Sequence, residues 1–191
     1  MMRPPAAGSG ARGRHTLLLI ALAVLAPVVL SYGFYYLFPR DSQANYGELL
    51  PVGPVHPLEA IRRDGEPLRL DGLKGHWTMV VAAPGACDAA CARMLYAMRQ
   101  ARTMQGKAMD RVERLWLVTD AATPSAAMLE EHPGLIVART RPGAVDALPR
   151  GGNAVYLLDP LGNQVLAWPS DPDIGALAKD LARLLKASRI G

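Results

Sequence analysis

No acidic residue occurs through Phe38, where Arg3, Arg12 and Arg14 are the only charged side chains apart from the neutral His15. Most of the net charge of +4 therefore belongs to this leading segment, and the remainder carries 18 basic against 17 acidic residues. An electrostatically neutral body lacks the basic footprint that nucleic acid demands, so nucleic acid is excluded as a partner. Internal repeats and low-complexity tracts are also absent, and 18 glycines and 16 prolines without a period exclude collagen-like order. Long apolar runs are absent except for one, which excludes a mainly membrane-embedded protein. Disorder is excluded by the opposite measure, because half of the residues are apolar and only a fifth are charged. What is left is one ordinary globular domain with an appendage.

The appendage is the single apolar run, Thr16 to Phe38, which holds 23 residues and no charge. About 20 suffice for a helix to cross a bilayer, so the lipid contact is expected through residues 16–38. The arginines of the basic tail, residues 1–15, keep the N-terminus cytoplasmic and export the rest of the chain. Tyr32, Phe34, Tyr35, Tyr36 and Phe38 form an aromatic belt on the far side. A cleaved signal peptide is the competing reading, since Val24-Leu25-Ala26 resembles a cleavage site, but Pro27 follows directly and the apolar run continues past it. An uncleaved anchor with a kink at Pro27 is the reading adopted. A bacterial inner membrane with a periplasmic domain suits this arrangement. Residues 39–56, short, polar and proline-bearing, read as a tether, and residues 57–191 as the exported domain.

Within that domain PLEAIRRDGEPLRL is a small hairpin about Asp64-Gly65. A strand over Trp77 to Ala83, a tight loop and a helix from Asp88 to about Lys107 make a strand–helix unit. Val112 to Asp120 is the next strand. Thr123 to His132 is a helix with Thr123 as its cap and Pro124 in its first turn, and Gly134 to Thr140 is a parallel strand. Asn153 to Asp159 and Gln164 to Trp168 form a late hairpin about Pro160-Leu161-Gly162-Asn163, and Asp171 to Lys186 is an amphipathic closing helix. The fold class is α/β with a mixed sheet flanked by helices.

Chemistry concentrates in Cys87-Asp88-Ala89-Ala90-Cys91. In an exported domain such a pair is a disulfide, a metal pair or a redox couple. A spacing of four stacks both cysteines on one helical face, and the helix start favours a thiolate, at Cys87 above all. Two thiolates suit Cu(I); oxidation closes a small ring instead. A merely stabilising bridge is disfavoured, because a ring of so few residues removes little chain entropy. Other features are read as structural. Met94 and Met98 lie with Leu95 on the apolar stripe a packed helix needs, Glu130-Glu131 is a solvated face, Gly151-Gly152 a loop, and Trp77, Trp116 and Trp168 packing anchors. The histidines, His15, His56, His76 and His132, are solvated or structural, with His76 able to approach the cysteines only if its strand starts near them.

The stretch GHWTMVVAAPGACDAACARMLYAMRQARTMQGKAMDRVERLWLVTD resembles the SCO/SenC family, as do LRLDGLKG before it, the Thr-Pro after the second strand, and YLLDPLGN in the late hairpin. The resemblance runs from about Leu58 to the C-terminus. It implies a thioredoxin-like fold behind one N-terminal transmembrane helix and a role in assembling the copper centre of cytochrome c oxidase. The implied partners are an oxidase subunit or another assembly factor. Carried over, Cys87 and Cys91 are the Cu(I)-binding or redox pair. The family's third ligand, a histidine five residues before the tyrosine position that Tyr156 occupies, is here Gly151. Ala92 replaces a usual proline after the motif, and the loop after Asp120 is shorter. The reading is a divergent accessory factor for oxidase assembly, non-enzymatic or marginally redox-active, that works by Cu(I) handling or thiol–disulfide exchange. A thiol–disulfide oxidoreductase or thiol peroxidase, and a scaffold whose cysteines are only a structural bridge, are the alternatives.

Overall fold

The computed structural model describes residues 10–37, 45–55, 57–188 and 190. Arg3, Phe38, the first part of the expected tether (39–44) and His56 lie outside the described residues. The chain divides into two units, Met1–Ala44 and Asn45–Gly191. The first contains helix α1 (Gly10–Leu37), whose stretch His15–Phe34 is long and apolar enough to cross a membrane and fits an anchor. Pro27 lies inside the helix, and leucine, valine and tyrosine side chains are exposed along its length. A helix apolar on every side has no face to turn toward water, which matches lipid better than a protein core.

The second unit is built on strands β1 (Glu48–Pro54), β2 (Glu59–Arg62), β3 (Pro67–Arg69), β4 (Trp77–Ala83), β5 (Val112–Val118), β6 (Ile136–Thr140), β7 (Ala154–Leu158) and β8 (Asn163–Pro169). Its helices are α2 (Ala89–Thr103), α3 (Ala126–Glu131) and α4 (Ile174–Ala187). The strands form one sheet in the order β1-β8-β7-β4-β5-β6-β2-β3. β4, β5 and β6 are parallel neighbours, and the hairpins add antiparallel strands on both sides, so the expected mixed sheet is observed. Every residue of β4 is buried, which is why Trp77 to Ala83 reads as an unbroken apolar run rather than an alternation. Trp77, Met79, Val81 and Ala83 face α2 and α4 with Trp116, Val155 and Trp168. Val80 and Ala82 face the other way, with Leu115, Leu117 and Tyr156; Leu50 of the edge strand β1 joins them, and loop and turn segments cover that side through Leu58, Leu70 and Leu148.

Three boundaries differ from expectation. The expected tether contains β1, which pairs with β8 through Glu48 opposite Ala167 and Leu49 opposite Leu166. Pro51 and Pro54 make this stretch look like a linker, yet proline is tolerated where a strand lies at a sheet edge. Asp180, almost fully buried on α4, closes the attachment: one carboxylate oxygen accepts the Gly47 amide at 2.8 Å and the Trp168 indole N–H at 3.1 Å. A Cβ on Gly47 would lie 2.6 Å from that indole nitrogen, so glycine alone permits the approach. Second, α2 stops at Thr103 short of Lys107, and a 3-10 turn over Gly106–Arg111 follows, opening on a glycine at φ +57°. Third, the cap of α3 is Ser125, whose Oγ accepts the Met128 amide at 3.2 Å, and not Thr123. Pro124 holds the residue before it out of helical conformation, which delays the helix.

Asp180→Ala leaves the Trp168 N–H and Gly47 amide without their acceptor inside the protein. The expected loss is about 2–3 kcal/mol in urea unfolding, with early proteolytic cleavage within residues 45–54; an unchanged midpoint contradicts this attachment. His132 gives a second test. Burial chiefly, and then Arg99 and Arg114, hold its pKa below the ordinary value against the opposing Glu131. The folded protein takes up this proton less readily than the unfolded chain, whose histidine titrates near pH ~6.5, so stability is full above that value and falls as pH drops through and below it. The fall between about pH 7.5 and about pH 5.5 is expected to shrink in His132→Gln; an identical pH profile in the variant rules the histidine out as its source.

Candidate functional site

The cysteines sit where β4 and β5 end side by side. Past Ala83 the chain must reverse toward α2, and it does so in a turn closed by the Cys87 amide donating to the Pro84 carbonyl at 3.0 Å. Asp88 then caps α2: its Oδ1 accepts the Cys91 amide at 2.9 Å, so the helix starts at Ala89. Cys87 therefore lies outside the helix, contrary to the expectation of two cysteines on one helical face, while Cys91 lies in the first turn. The four-residue spacing still serves, because turn and cap together bring the Cα atoms to 5.2 Å and the two sulfurs are joined as a disulfide.

Asp120, just past β5, organises this turn. Its Oδ1 accepts the Gly85 amide at 2.8 Å and the Ala122 amide at 3.2 Å. The Ala83 carbonyl accepts the Thr119 amide and the buried Trp116 indole, both at 3.2 Å. Gly85 is pressed so closely on the next loop that a Cβ would stand 2.1 Å from the Ala122 carbonyl oxygen. Cys87 itself is held at φ +45°, a left-handed conformation that costs a residue with a Cβ roughly 1–2 kcal/mol. Asp120 and Gly85 are supporting residues not singled out from the sequence. The available cues were a glycine two residues before the cysteine and an aspartate closing the second strand.

The two sulfurs have different surroundings. Cys87 is half-buried at the surface, whereas Cys91 is 1% exposed and packed among Met94, Leu95 and Met98, which are core residues as expected. The three tryptophans are likewise buried, and Glu130 and Glu131 are exposed. Gly151 and Gly152 form a loop at the same end of β4, since a Cβ on Gly152 would lie 2.8 Å from the Ala82 carbonyl oxygen. Gly151 adopts φ +56°, and a Cβ there would meet nothing within 4 Å. Its carbonyl accepts the Tyr156 hydroxyl at 3.0 Å, and that oxygen accepts the Arg150 amide at 2.8 Å. Burial raises the Tyr156 pKa, with Arg150 opposing, so the phenol stays a donor.

Within the second unit, no histidine among the described residues joins the pair. His76 precedes β4 at its far end, roughly 20 Å away along a strand of this length, and faces Glu113 at 3.8 Å. His132 is buried at the end of α3. Among the described residues no group of three His, Cys, Asp or Glu side chains could hold a metal. Once reduced, Cys87 and Cys91 offer two soft thiolate donors, which fit Cu(I) as two-coordinate cargo; the third donor implied by the resemblance is missing.

A family model described as "transmembrane-like, thioredoxin-like, C-terminal domain" matches residues 77–188. No curated protein matches the chain. Among solved structures, copper-bound ScoI of Arabidopsis thaliana is 18% identical with a TM-score of 0.58, covering 71% of this chain and 100% of that one. Apo Sco1 of Thermus thermophilus is 18% identical with a TM-score of 0.59, covering 77% and 98%. BsSco, described as a Sco-family cytochrome c oxidase assembly protein with a disulfide switch, is 16% identical with a TM-score of 0.55, covering 74% and 95%. These likenesses bear out the thioredoxin-like fold and the structural resemblance to SCO proteins.

Gly85→Ala forces the Cys87 turn away from Ala122. It is expected to destabilise the protein by about 1–3 kcal/mol and to shift the Cys87–Cys91 couple toward the dithiol in a glutathione redox buffer. A variant with wild-type stability and redox equilibrium would show that this close approach has no influence on the disulfide.

Proposed function

We propose, for a chain that belongs to the transmembrane-like, thioredoxin-like C-terminal-domain family, a role as a membrane-anchored accessory factor in cytochrome c oxidase assembly. It acts by thiol–disulfide exchange at the thiols of the copper-bearing subunit. The observation that carries this reading is the unequal pair: a half-exposed Cys87 bonded to a buried Cys91, with glycine where a third copper donor would stand. The fold shared with BsSco and with the copper-bound Sco structures supports the class of partner. The arginine-rich, acid-free segment before the apolar helix supports a cytoplasmic N-terminus and a periplasmic domain in a bacterial inner membrane.

The exchange runs in two displacements. A partner thiolate attacks Cys87 Sγ, the sulfur within reach of solvent; the Cys87–Cys91 bond breaks, and Cys91 leaves as a thiolate in the first turn of α2. A second partner thiolate then attacks the partner sulfur of the mixed disulfide. The partner acquires a disulfide, Cys87 leaves as a thiolate, and two electrons have moved from partner to this protein. Run in reverse, the reduced pair opens a partner disulfide, with Cys87 as nucleophile and Cys91 as resolving thiol. Burial of Cys91 keeps outside thiols from the wrong sulfur. A purely structural bridge is disfavoured by the small ring, which removes little entropy from the unfolded chain. Cu(I) handling is a second reading, favoured by the two soft donors released on reduction.

Trapping of the full chain in membranes tests the exchange. Cys91→Ser is expected to accumulate a mixed disulfide through Cys87 with an oxidase subunit, and Cys87→Ser to trap little because its remaining sulfur is buried. Equal trapping by both variants refutes the assigned order, and intact oxidase maturation in the double-serine chain supports the scaffold instead. Anaerobic Cu(I) titration of the reduced full chain against a chelator separates the second reading. Weak binding is expected; tight one-to-one binding lost in the double-serine chain establishes a copper carrier.

A further inference from the structure

Helices cover the sheet unevenly. α2 and α4 pack over β4, β7 and β8, whereas β6, β2 and β3 continue the same face under only the short α3. Register places Ile61 opposite both Arg139 and Pro67, so these three share that face with Val137, two residues along β6. Ile61 is 60% exposed there. The uncovered region is a cleft of about 870 Å³ whose lining includes Ile61, Pro67, Val118, Pro124 and Val137.

The rim of this cleft is cationic. Arg62, Arg63, Arg69, Arg139 and Arg141 line it, against one carboxylate, Glu59. Asp71 neutralises Arg69 at 2.8 Å, and Arg139 donates to the Ala122 carbonyl at 3.4 Å, which leaves its charge uncompensated. Among the described residues, Arg62, Arg63 and Arg141 are in no ion pair within 4.0 Å. Asp64 and Glu66 occupy the tip of the β2–β3 hairpin but do not line the cleft. Arg62 alternates to the other face of β2, so in a body that is otherwise electrically balanced the three unpaired guanidinium groups of Arg63, Arg139 and Arg141 around one apolar trough are a local excess.

The cleft also begins at the disulfide's own support. The Val118 side chain on its floor lies 3.2 Å from where a Gly85 Cβ would stand, and the Ala122 carbonyl that accepts Arg139 is the one pressed against Gly85. We infer that this cleft seats an extended acidic segment of the thiol-bearing partner, its apolar side chains on the trough and its carboxylates on Arg63 and Arg141, and so delivers the partner's sulfur to Cys87. The inference rests on the exchange reading above and adds how the partner is selected. Charge on the rim acts on encounter and register more than on the sulfur chemistry, so a small neutral thiol is insensitive to it.

The test uses the full chain, disulfide closed, in nanodiscs of zwitterionic lipid. Two peptides share one cysteine and the same apolar residues, and differ in carrying aspartates or lysines between them. The acidic peptide is expected to open the disulfide about tenfold faster than the basic one at low salt, with the two rates converging as salt screens the rim. The R63E/R141E chain is expected to reverse the preference and R63Q/R141Q to abolish it, both with an unchanged rate toward 2-mercaptoethanol. The neutral variant guards against misfolding of the charge-reversed one. Equal peptide rates in a wild-type chain that 2-mercaptoethanol opens normally overturn the docking cleft and leave exchange intact. A disulfide that 2-mercaptoethanol cannot open overturns exchange itself. A preference that appears only in discs containing anionic lipid overturns the inference in favour of a lipid-reading rim.

Discussion

The site depends on how two buried parallel strands end. β4 and β5 run together through the core, and at their C-terminal ends the backbone must leave the sheet without stranding its polar groups. Asp120 meets that demand by accepting the amides of Gly85 and Ala122 on a single oxygen, while the Ala83 carbonyl takes the Thr119 amide and the Trp116 indole. A turn tied down in this way can hold Cys87 in a left-handed conformation that an unsupported chain would leave. The disulfide is thus the outcome of satisfied backbone hydrogen bonds as much as of two cysteines in sequence.

The rest of the site is layered on this clasp. The cap of α2 by Asp88 fixes Cys91 in the first turn, and the apolar stripe behind it buries that sulfur while the turn leaves its partner half in solvent. In the proposed exchange, this asymmetry sets the direction of attack. On the far side of Gly85 the same loop shapes the end of the arginine-rimmed cleft, so the packing that positions the disulfide also borders that cleft. At the opposite edge of the sheet, Asp180 performs the equivalent service for β1, gathering Gly47 and Trp168 on one oxygen.

Much of this was legible in the residues. The unbroken apolar run at Trp77 to Ala83, the Asp64-Gly65 turn and the periodic leucines of α4 each state their element through local rules, and each appears within a few residues of expectation. Errors arose where a distant partner overrides local preference. Pro51 and Pro54 argue for a linker until β8 offers an edge to pair with, and Thr123 argues for a cap until Pro124 displaces it. His76 and the cysteines look close only while the direction of β4 is unstated.

Sequence by itself determined the kind of chemistry and its limits: one apolar helix of spanning length, one pair of cysteines, and glycine rather than histidine at position 151. These are matters of which atoms stand at which positions, and they are fixed before the chain folds. Tertiary structure alone decided which cysteine is fully buried, that Asp120 and Gly85 support the turn, and that the arginines of the early hairpin and of the strand β6 region meet around one trough. The reason is that such facts depend on elements far apart in the chain, joined only through the strand order β5-β6-β2-β3, for which local periodicity carries no information.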